Sequence, residues 1–463
     1  MSKFKSKKIS FVLIAERDAN FFIPVAIKMR EMGFKVNFLL FYEPSLKKII
    51  NKNFEAFIFS NYVKNTPPSA KEIDRIQAQY NLNIQDLVRH ERLSFGLNSD
   101  IHLISKAFCY IQAVESWLHE NKTDFIIQEL GGFIAPLSLY YVALRNRITH
   151  FFIEPMFFNG MICFIKNDIN FKLKNESIKK ISLNNATSYL NAFKTKPQIL
   201  IPKKDKHHFN YSVFAKVLNF INFKKILLKF YYKYLTSQKQ EYDAISNYIF
   251  RSLRSVLNSF LLKIFYYNPD FKFSHIKYIY FPLHVPIDFA LTVRSPEFLD
   301  QISVVKKISK SIPKNYELWI KEHPASIGTY SPIEIFRLTK LANIKIISPT
   351  FSSFDLIKNA SSIVTINSKV GAEAIIFGKQ VYCLGEVFYK DSNLCQKIKT
   401  IDDLKKMLKN KRVKNNSLSK NSQKSIYMYF ARVFQSSSLG EMYINDTNNI
   451  KLFSKSLKKA LSN

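Results

Sequence analysis

Glycine is scarce, with 10 residues in a chain of 463, and none of them form a GxGxxG run. A nucleotide-binding surface cannot then rest on a glycine-rich phosphate turn and has to come from side chains and helix ends. Cysteine is scarce as well. Cys109, Cys163, Cys383 and Cys395 are far apart and show no CxxC or Cys/His ligand spacing, which excludes a disulfide framework or a zinc site and fits a reducing compartment. No long apolar run opens the chain. After a basic start, the apolar residues 11–15 break at Glu16, Arg17 and Asp18, too short for a signal segment or a membrane span, so the cytoplasm is the expected location. No DxD-type element stands at a strand end, and no metal or other cofactor is expected. Acidic residues are the last shortage: 35 Asp+Glu face 69 Lys+Arg, a net charge of +34.

A field of that sign attracts phosphates, nucleic acid or an anionic membrane. Part of it is compositional, because Lys, Asn, Ile, Phe and Tyr are all abundant, the bias expected of an AT-rich coding sequence. The basic residues are dispersed rather than gathered on a nucleic-acid motif, so nucleic acid is not the expected partner. Hydrophobic residues make up 47% and run the whole length, which describes a globular chain. Its length calls for more than one core.

Residues 9–15 read as a buried strand, 21–32 as an amphipathic helix closed at Gly33, and VNFLLFY as a second strand; FEAFIFS at 54–60 extends the series. A parallel sheet covered by helices is the simplest architecture. Residues 70–120 have helical period, then 125–127 start a strand running into QELGGF, and HFFIEP forms another ending at Pro155. Segments 128–133 and 154–160 therefore follow strand C-termini, where open α/β sheets bind ligands. Residues 1–200 are assigned to this first domain. From 201 to 270 the chain alternates Lys with Phe, Tyr, Leu and Ile, read as helices of an insertion that either packs between domains or rests on an anionic membrane surface. A second α/β series occupies 271–400, with strands at 277–283, 316–324, 343–349, 362–367 and 380–385, and Lys-rich helices fill 401–463.

Three strand-end loops of the second series converge. IKEHPAS (320–326) puts Lys321 and His323 at a strand end, with Pro324 turning the chain out of the sheet. Lys supplies a point charge to a phosphate; His donates to a phosphate oxygen or assists the leaving nucleotide. INSKVGAEAIIFGKQVYCLG (366–385) reads as strand, loop, helix and strand, with three of the ten glycines. There Asn367 and Ser368 cap the helix or meet a ligand, and free N–H groups at 368–371, Gly371 included, suit an anion. Glu373 either accepts from ribose or sugar hydroxyls or only complements the helix dipole. FPLHVPIDFALTVRSP adds His284 and Arg294. Together these make a basic, hydroxyl-rich crevice for a nucleotide-sugar donor.

The ordered set FPLHVP, LTVRSP, WIKEHP and TINSKVGAEAIIFGKQVYCLG, with QELGGFIAPLSLYY and IEPMFFNG upstream, resembles the capsule polysaccharide synthesis family, which includes GT-B transferases of Kdo-type sugars. The resemblance implies a GT-B-like α/β fold, two Rossmann-like domains facing a central cleft, and a glycosyltransferase; the membrane-resting alternative for the basic-aromatic segment would make it peripheral at the inner face of the cytoplasmic membrane. Such an enzyme takes a nucleotide sugar, CMP-Kdo-type in kind, and extends a saccharide or lipid-linked acceptor of a capsule or lipopolysaccharide. It also implies that His323 and Ser368 hold the donor and that the catalytic carboxylate lies on the N-terminal domain. Glu154 is the first choice there, as it ends a strand before Pro155; Glu129 is second, with Glu16 and Asp168 also in or near loops. Such a carboxylate deprotonates the acceptor or shields the anomeric centre. Polyol phosphotransferases of teichoic-acid type share the His-Pro and Ser loops, and a nucleotide-sugar epimerase would share the fold.

Overall fold

A computed structural model describes residues 7–96, 99–198, 211–218, 220–242, 245–271, 276–410 and 420–462. It holds two seven-stranded sheets flanked by helices, so the α/β, GT-B-like expectation stands. The first sheet takes β1 (Lys8–Leu13), β2 (Lys35–Leu40), β3 (Glu55–Ile58), β4 (Phe125–Glu129), β5 (Thr149–Pro155) and β6 (Met161–Lys166). The second takes β7 (Tyr266–Tyr267), β8 (Tyr278–Pro282), β9 (Glu317–Lys321), β10 (Ile344–Ile347), β11 (Ser362–Thr365), β12 (Val381–Cys383) and β13 (Gln396–Lys397). A last strand, β14 (Ser438–Leu439), returns to the first sheet.

Both sheets share one order. The first runs β3-β2-β1-β4-β5 and the second β10-β9-β8-β11-β12, each with its crossover point beside its first strand. These strands pair in parallel, and the central ones are buried on both faces, which is why they read as apolar runs without alternation. Parallel strands point their C-terminal ends the same way, so the loops after β4, β8, β9 and β11 all open where such folds bind ligands.

Two local features differ from an all-parallel reading. Residues 154–160, read as a ligand loop, close an antiparallel β5–β6 hairpin; residues 154–157 border a cleft, Gly160 takes φ 73° in the turn, and Phe157 and Phe158 are buried. Phe157 packs against Phe193, Phe388 and Phe430, so this hairpin feeds an aromatic seam between the two halves. The Lys-rich tail, moreover, does not stand apart. Helix Lys420–Ser436 packs along helix Lys180–Thr195, β14 pairs antiparallel with β6, and helix Thr447–Ser462 covers helix Glu16–Glu31. The helix at 16–31 buries Phe21, Phe22, Val25 and Met29, and needs a partner on each side.

The basic-aromatic segment contains helix Phe220–Phe230, a π-turn at Tyr231–Leu235 and helix Ile245–Leu262; residues 201–210, 219, 243 and 244 of it lie outside the described residues. Helix Ile245–Leu262 bridges the halves, with the Asn247 amide donating to Phe95 O at 2.8 Å and the Asn258 amide to Gly328 O at 3.1 Å.

Phe453 sits fully buried between Phe21 (4.9 Å between ring centroids) and Phe164 (5.7 Å). Phe453→Ala is expected to cost about 3–5 kcal/mol in urea unfolding, the range for a large aromatic cavity. A loss below about 1 kcal/mol would mean that the tail contributes little to the first half.

Candidate functional site

A cleft of about 1420 Å³ lies between the halves and is lined from both. The second half contributes His284, Arg294, His323, Asn367, Ser368 and Glu373; the first contributes Glu129 and Glu154.

His323 follows β9, where Pro324 ends the strand. Its Nδ1 accepts the Ala325 N–H at 3.1 Å, and its side chain lines the cleft. His284 follows β8 and is buried. Burial, then the neighbouring His323, hold its imidazole down to about 3, so it is neutral, and its Nε2 faces the Asn367 N–H at 3.5 Å. Gln301 and Tyr330 fix its backbone from behind, through Gln301 Oε1 to the His284 N–H at 2.7 Å and the Tyr330 hydroxyl to His284 O at 2.9 Å. The imidazole of His284 supports the loop that carries Asn367.

The β11 loop is held by unequal means. Asn367 Nδ2 donates to Ala290 O at 2.6 Å and Ser295 Oγ at 3.2 Å, while its buried Oδ1 has no partner among the described residues. Ser368 caps helix Lys369–Ile376, its Oγ accepting from the Val370 N–H at 3.2 Å. Glu373 on that helix is buried against the cleft, and among the described residues no hydrogen bond reaches its carboxylate. Burial pushes this carboxyl up to about 7, against the pull of Lys369 and Lys321.

Two expected site residues do not line the cleft. Lys321 is buried with its Nζ donating to Phe351 O at 2.6 Å and Ser353 Oγ at 2.7 Å, and burial lowers its ammonium to about 8. Its charge and that of Glu373 act on each other. Gly371 is a packing glycine: a Cβ there would come within 2.1 Å of the Tyr389 hydroxyl, which itself donates to Ser368 O at 2.5 Å.

Glu154 and Arg294, expected in separate roles, are partners. Arg294 Nη1 and Nη2 meet the two Glu154 carboxylate oxygens at 2.9 and 2.8 Å, and Nε and Nη2 also donate to Ile169 O at 2.9 and 2.8 Å. This fork crosses from the second half to the first. Glu129 at the end of β4 accepts from Arg17 at 2.8 Å and from the Tyr443 hydroxyl at 2.6 Å. The same hydroxyl oxygen lies 2.9 Å from Asp18 Oδ1, and the Asp18 carboxyl is raised to about 6 by burial and by Glu129. The remaining two carboxylates are off the cleft, Glu16 with Lys48 at 2.8 Å and Asp168 with Lys172 at 2.6 Å.

Lys369, Lys172 and Arg432 also line the cleft and were missed. Lys369 lies inside the NSKVG motif and could have been named from it. Arg432 comes from the tail helix, with no local signal to link it to residues hundreds of positions earlier.

The sequence profile of the family described as "Capsule polysaccharide biosynthesis protein" matches residues 185–439, more than half of the chain. The chain belongs to this family. Among curated proteins, protein FixF of Sinorhizobium fredii is 36% identical over 123 residues, which span 25% of this chain and 28% of FixF, so little more than a quarter of that relative is matched. Solved structures similar to this capsule-family chain include two of Thermosulfurimonas dismutans KpsC. The beta Kdo 2,4 transferase is 13% identical, with 69% of this chain and 82% of that one covered and a TM-score of 0.39. The beta Kdo 2,7 transferase is 16% identical, with 76% and 89% covered and a TM-score of 0.35. A Neisseria meningitidis UDP-GlcNAc 2-epimerase bound to UDP-GlcNAc is 11% identical, with 98% and 100% covered and a TM-score of 0.28. Membership of the family rests on the sequence match and not on these superpositions.

Glu373 yields a pH test. An unfolded Glu ionises near ~4.3, whereas the folded group holds its proton to about 7. Between those values the folded state binds a proton that the unfolded chain has released, so stability falls as pH rises through this window. Relative to Glu373→Gln, the wild-type protein should lose up to about 3 kcal/mol between about pH 5 and pH 8 in urea unfolding. A difference that stays flat across that range would mean that Glu373 is not desolvated.

Proposed function

We propose that this capsule-family protein is a glycosyltransferase that moves a sugar from a nucleotide-sugar donor, CMP-Kdo-type in kind, to a growing surface polysaccharide. The observation that carries this reading is the opposition of two unlike walls across one cleft. One wall offers the His323 imidazole, the unpaired Asn367 Oδ1 and the Ser368 helix cap; the other offers the Glu154 and Glu129 carboxylates.

In this reading the donor phosphate meets His323 and the positive end of helix Lys369–Ile376, whose Ser368, Val370 and Gly371 N–H groups are already spent on Thr365 Oγ1, Ser368 Oγ and Ser368 O, so Lys369 and Arg432 supply most of the positive charge. Those groups neutralise a departing nucleotide without a metal. Glu373 accepts from a ribose or sugar hydroxyl, its raised proton affinity favouring a short hydrogen bond. The acceptor, a saccharide or lipid-linked saccharide reached from the inner face of the cytoplasmic membrane, gives its proton to a carboxylate of the first half. Glu154 is the first choice, and its Arg294 fork sets a condition. A carboxylate bound by a guanidinium on both oxygens is a weak base, so a donor phosphate that draws Arg294 toward itself raises the basicity of Glu154 as the donor arrives.

A thermal-shift screen of CMP, CDP, UDP and GDP tests the donor class. At ~100 times its Kd a true ligand adds about 2.7 kcal/mol of stability. No stabilisation by any of them would sink the reading. His323→Ala is expected to slow transfer by about 30- to 1000-fold, the loss of roughly 2–4 kcal/mol for one donor on developing charge, with an unchanged melting temperature. Full turnover by that variant would make the His-Pro loop structural. Epimerisation of a nucleotide sugar with no acceptor present would instead assign the chain to the epimerase alternative, and transfer of a polyol phosphate to the phosphotransferase one.

A further inference from the structure

Helix Ile245–Leu262 is built inside out. Its buried side chains include Asn247, Asn258 and Ser259, and the two Asn amides, with Arg251, are spent on backbone carbonyls at Phe95, Gly328, Tyr330 and Ser94. The contact with the second half is close: a Cβ on Gly328 would come within 2.2 Å of Ser255 O. The opposite face carries Phe250, Leu253, Leu257 and Phe260, continued past the helix end by Ile264, at intervals of three or four residues, and their exposure runs from 52% to 78%. Ordinary surface helices bury such a stripe and expose the amides.

The neighbouring helix repeats the pattern. Phe220, Phe223, Leu227 and Phe230, followed by Tyr234 in the π-turn, again fall three or four residues apart and are all exposed, with Phe220 at 80%. Unpartnered apolar surface on this scale marks an interaction face. The charges identify its partner. Residues 211–264 contain nine Lys and Arg but only two acidic residues, Glu241 and Asp243, and Glu241 is drawn inward by Lys106 at 2.8 Å and the Tyr110 hydroxyl at 2.7 Å. Lys224, Lys225, Lys233, Arg254 and Lys263 stand exposed among the apolar side chains. Protein interfaces are depleted of Lys at their centres, whereas bilayer-surface helices combine Lys with Phe and Leu. Among the described residues no helix is long and apolar enough to cross a membrane.

We propose that these two helices form a docking face that lies in the surface of a bilayer containing anionic lipid. The stripes enter the boundary between headgroups and acyl chains, and the Lys and Arg side chains reach up to phosphate. This deepens the acceptor side of the transferase reading, but its test needs no transfer activity.

The full chain is centrifuged with neutral phosphatidylcholine vesicles and with vesicles that also carry phosphatidylglycerol. Binding to the anionic vesicles at low salt is expected, weakening steeply as the Debye length shrinks to about 8 Å at physiological ionic strength. Each Lys near the surface contributes about 1 kcal/mol, or about fivefold, so Lys224→Glu with Lys225→Glu should weaken partitioning by at least about 25-fold. Phe250→Ser, Leu253→Ser and Leu257→Ser together should also abolish binding. Their exposure means that the melting temperature should hold, which separates loss of docking from loss of fold. Equal binding to both vesicle types, or to neither at low salt, overturns the proposal. So does a solution dimer that the triple Ser variant dissociates, since a second copy would then own the face. Nucleotide stabilisation that persists while vesicle binding fails would leave the transferase reading standing alone.

Discussion

Arg294 ties the two halves together at the cleft. Its guanidinium reaches both carboxylate oxygens of Glu154 and the carbonyl of Ile169, so one side chain on the second half fixes the ends of two segments on the first. The fork is largely buried, with 12% of the Arg294 side chain and 28% of that of Glu154 exposed. Charges this desolvated are costly to separate, since each partner left alone would face a poorly solvating surround. The distance between the donor wall and the carboxylate wall follows from this contact. The aromatic seam of Phe157, Phe193, Phe388 and Phe430 sits behind it and gives the halves a second, undirected attachment.

The cleft wall of the second half is organised by layers of increasing solvation. Tyr330 and Gln301 hold His284, His284 meets the Asn367 backbone, and Asn367 and Ser368 present themselves to the cleft. Behind Glu373, Lys321 is kept from the cleft by Phe351 O and Ser353 Oγ. A buried ammonium and a buried carboxyl thus temper each other, and neither is free to act as an ordinary surface charge.

What could be read from residue order alone was whatever depended on neighbours in the chain. The parallel strands β1–β5 and β8–β12, the Pro324 exit after β9 and the cap at Ser368 are set by local apolar runs, a proline and a hydroxyl, and appear where the sequence puts them; the outer strands β6, β7, β13 and β14 were not legible. The α/β class and the family followed from those same segments. Roles that depend on distant contacts were not legible. Lys321 sits at the expected strand end, but the carbonyl that captures it belongs to Phe351, 30 positions on. Gly371 has the place of an anion-binding glycine, yet its lack of a Cβ serves Tyr389. Glu154 and Arg294 are 140 positions apart, and nothing in either local motif announces that the two would be each other's counterion.

The return of the chain to its first sheet has a temporal side. Phe21 and Phe22 emerge early in synthesis, yet the helix that covers Phe21 contains Phe453, and the strand that closes the β6 edge is β14. The first half therefore cannot finish before the second has been made. During translation it is an open sheet with an uncovered aromatic face and an unpaired edge, the kind of intermediate that invites aggregation or chaperone capture. The second half draws its whole sheet, β7 to β13, from one continuous stretch, although tail residues such as Ile426 and Phe430 join its core too. The sheet whose first strand is made earliest is thus the one whose last strand is made latest.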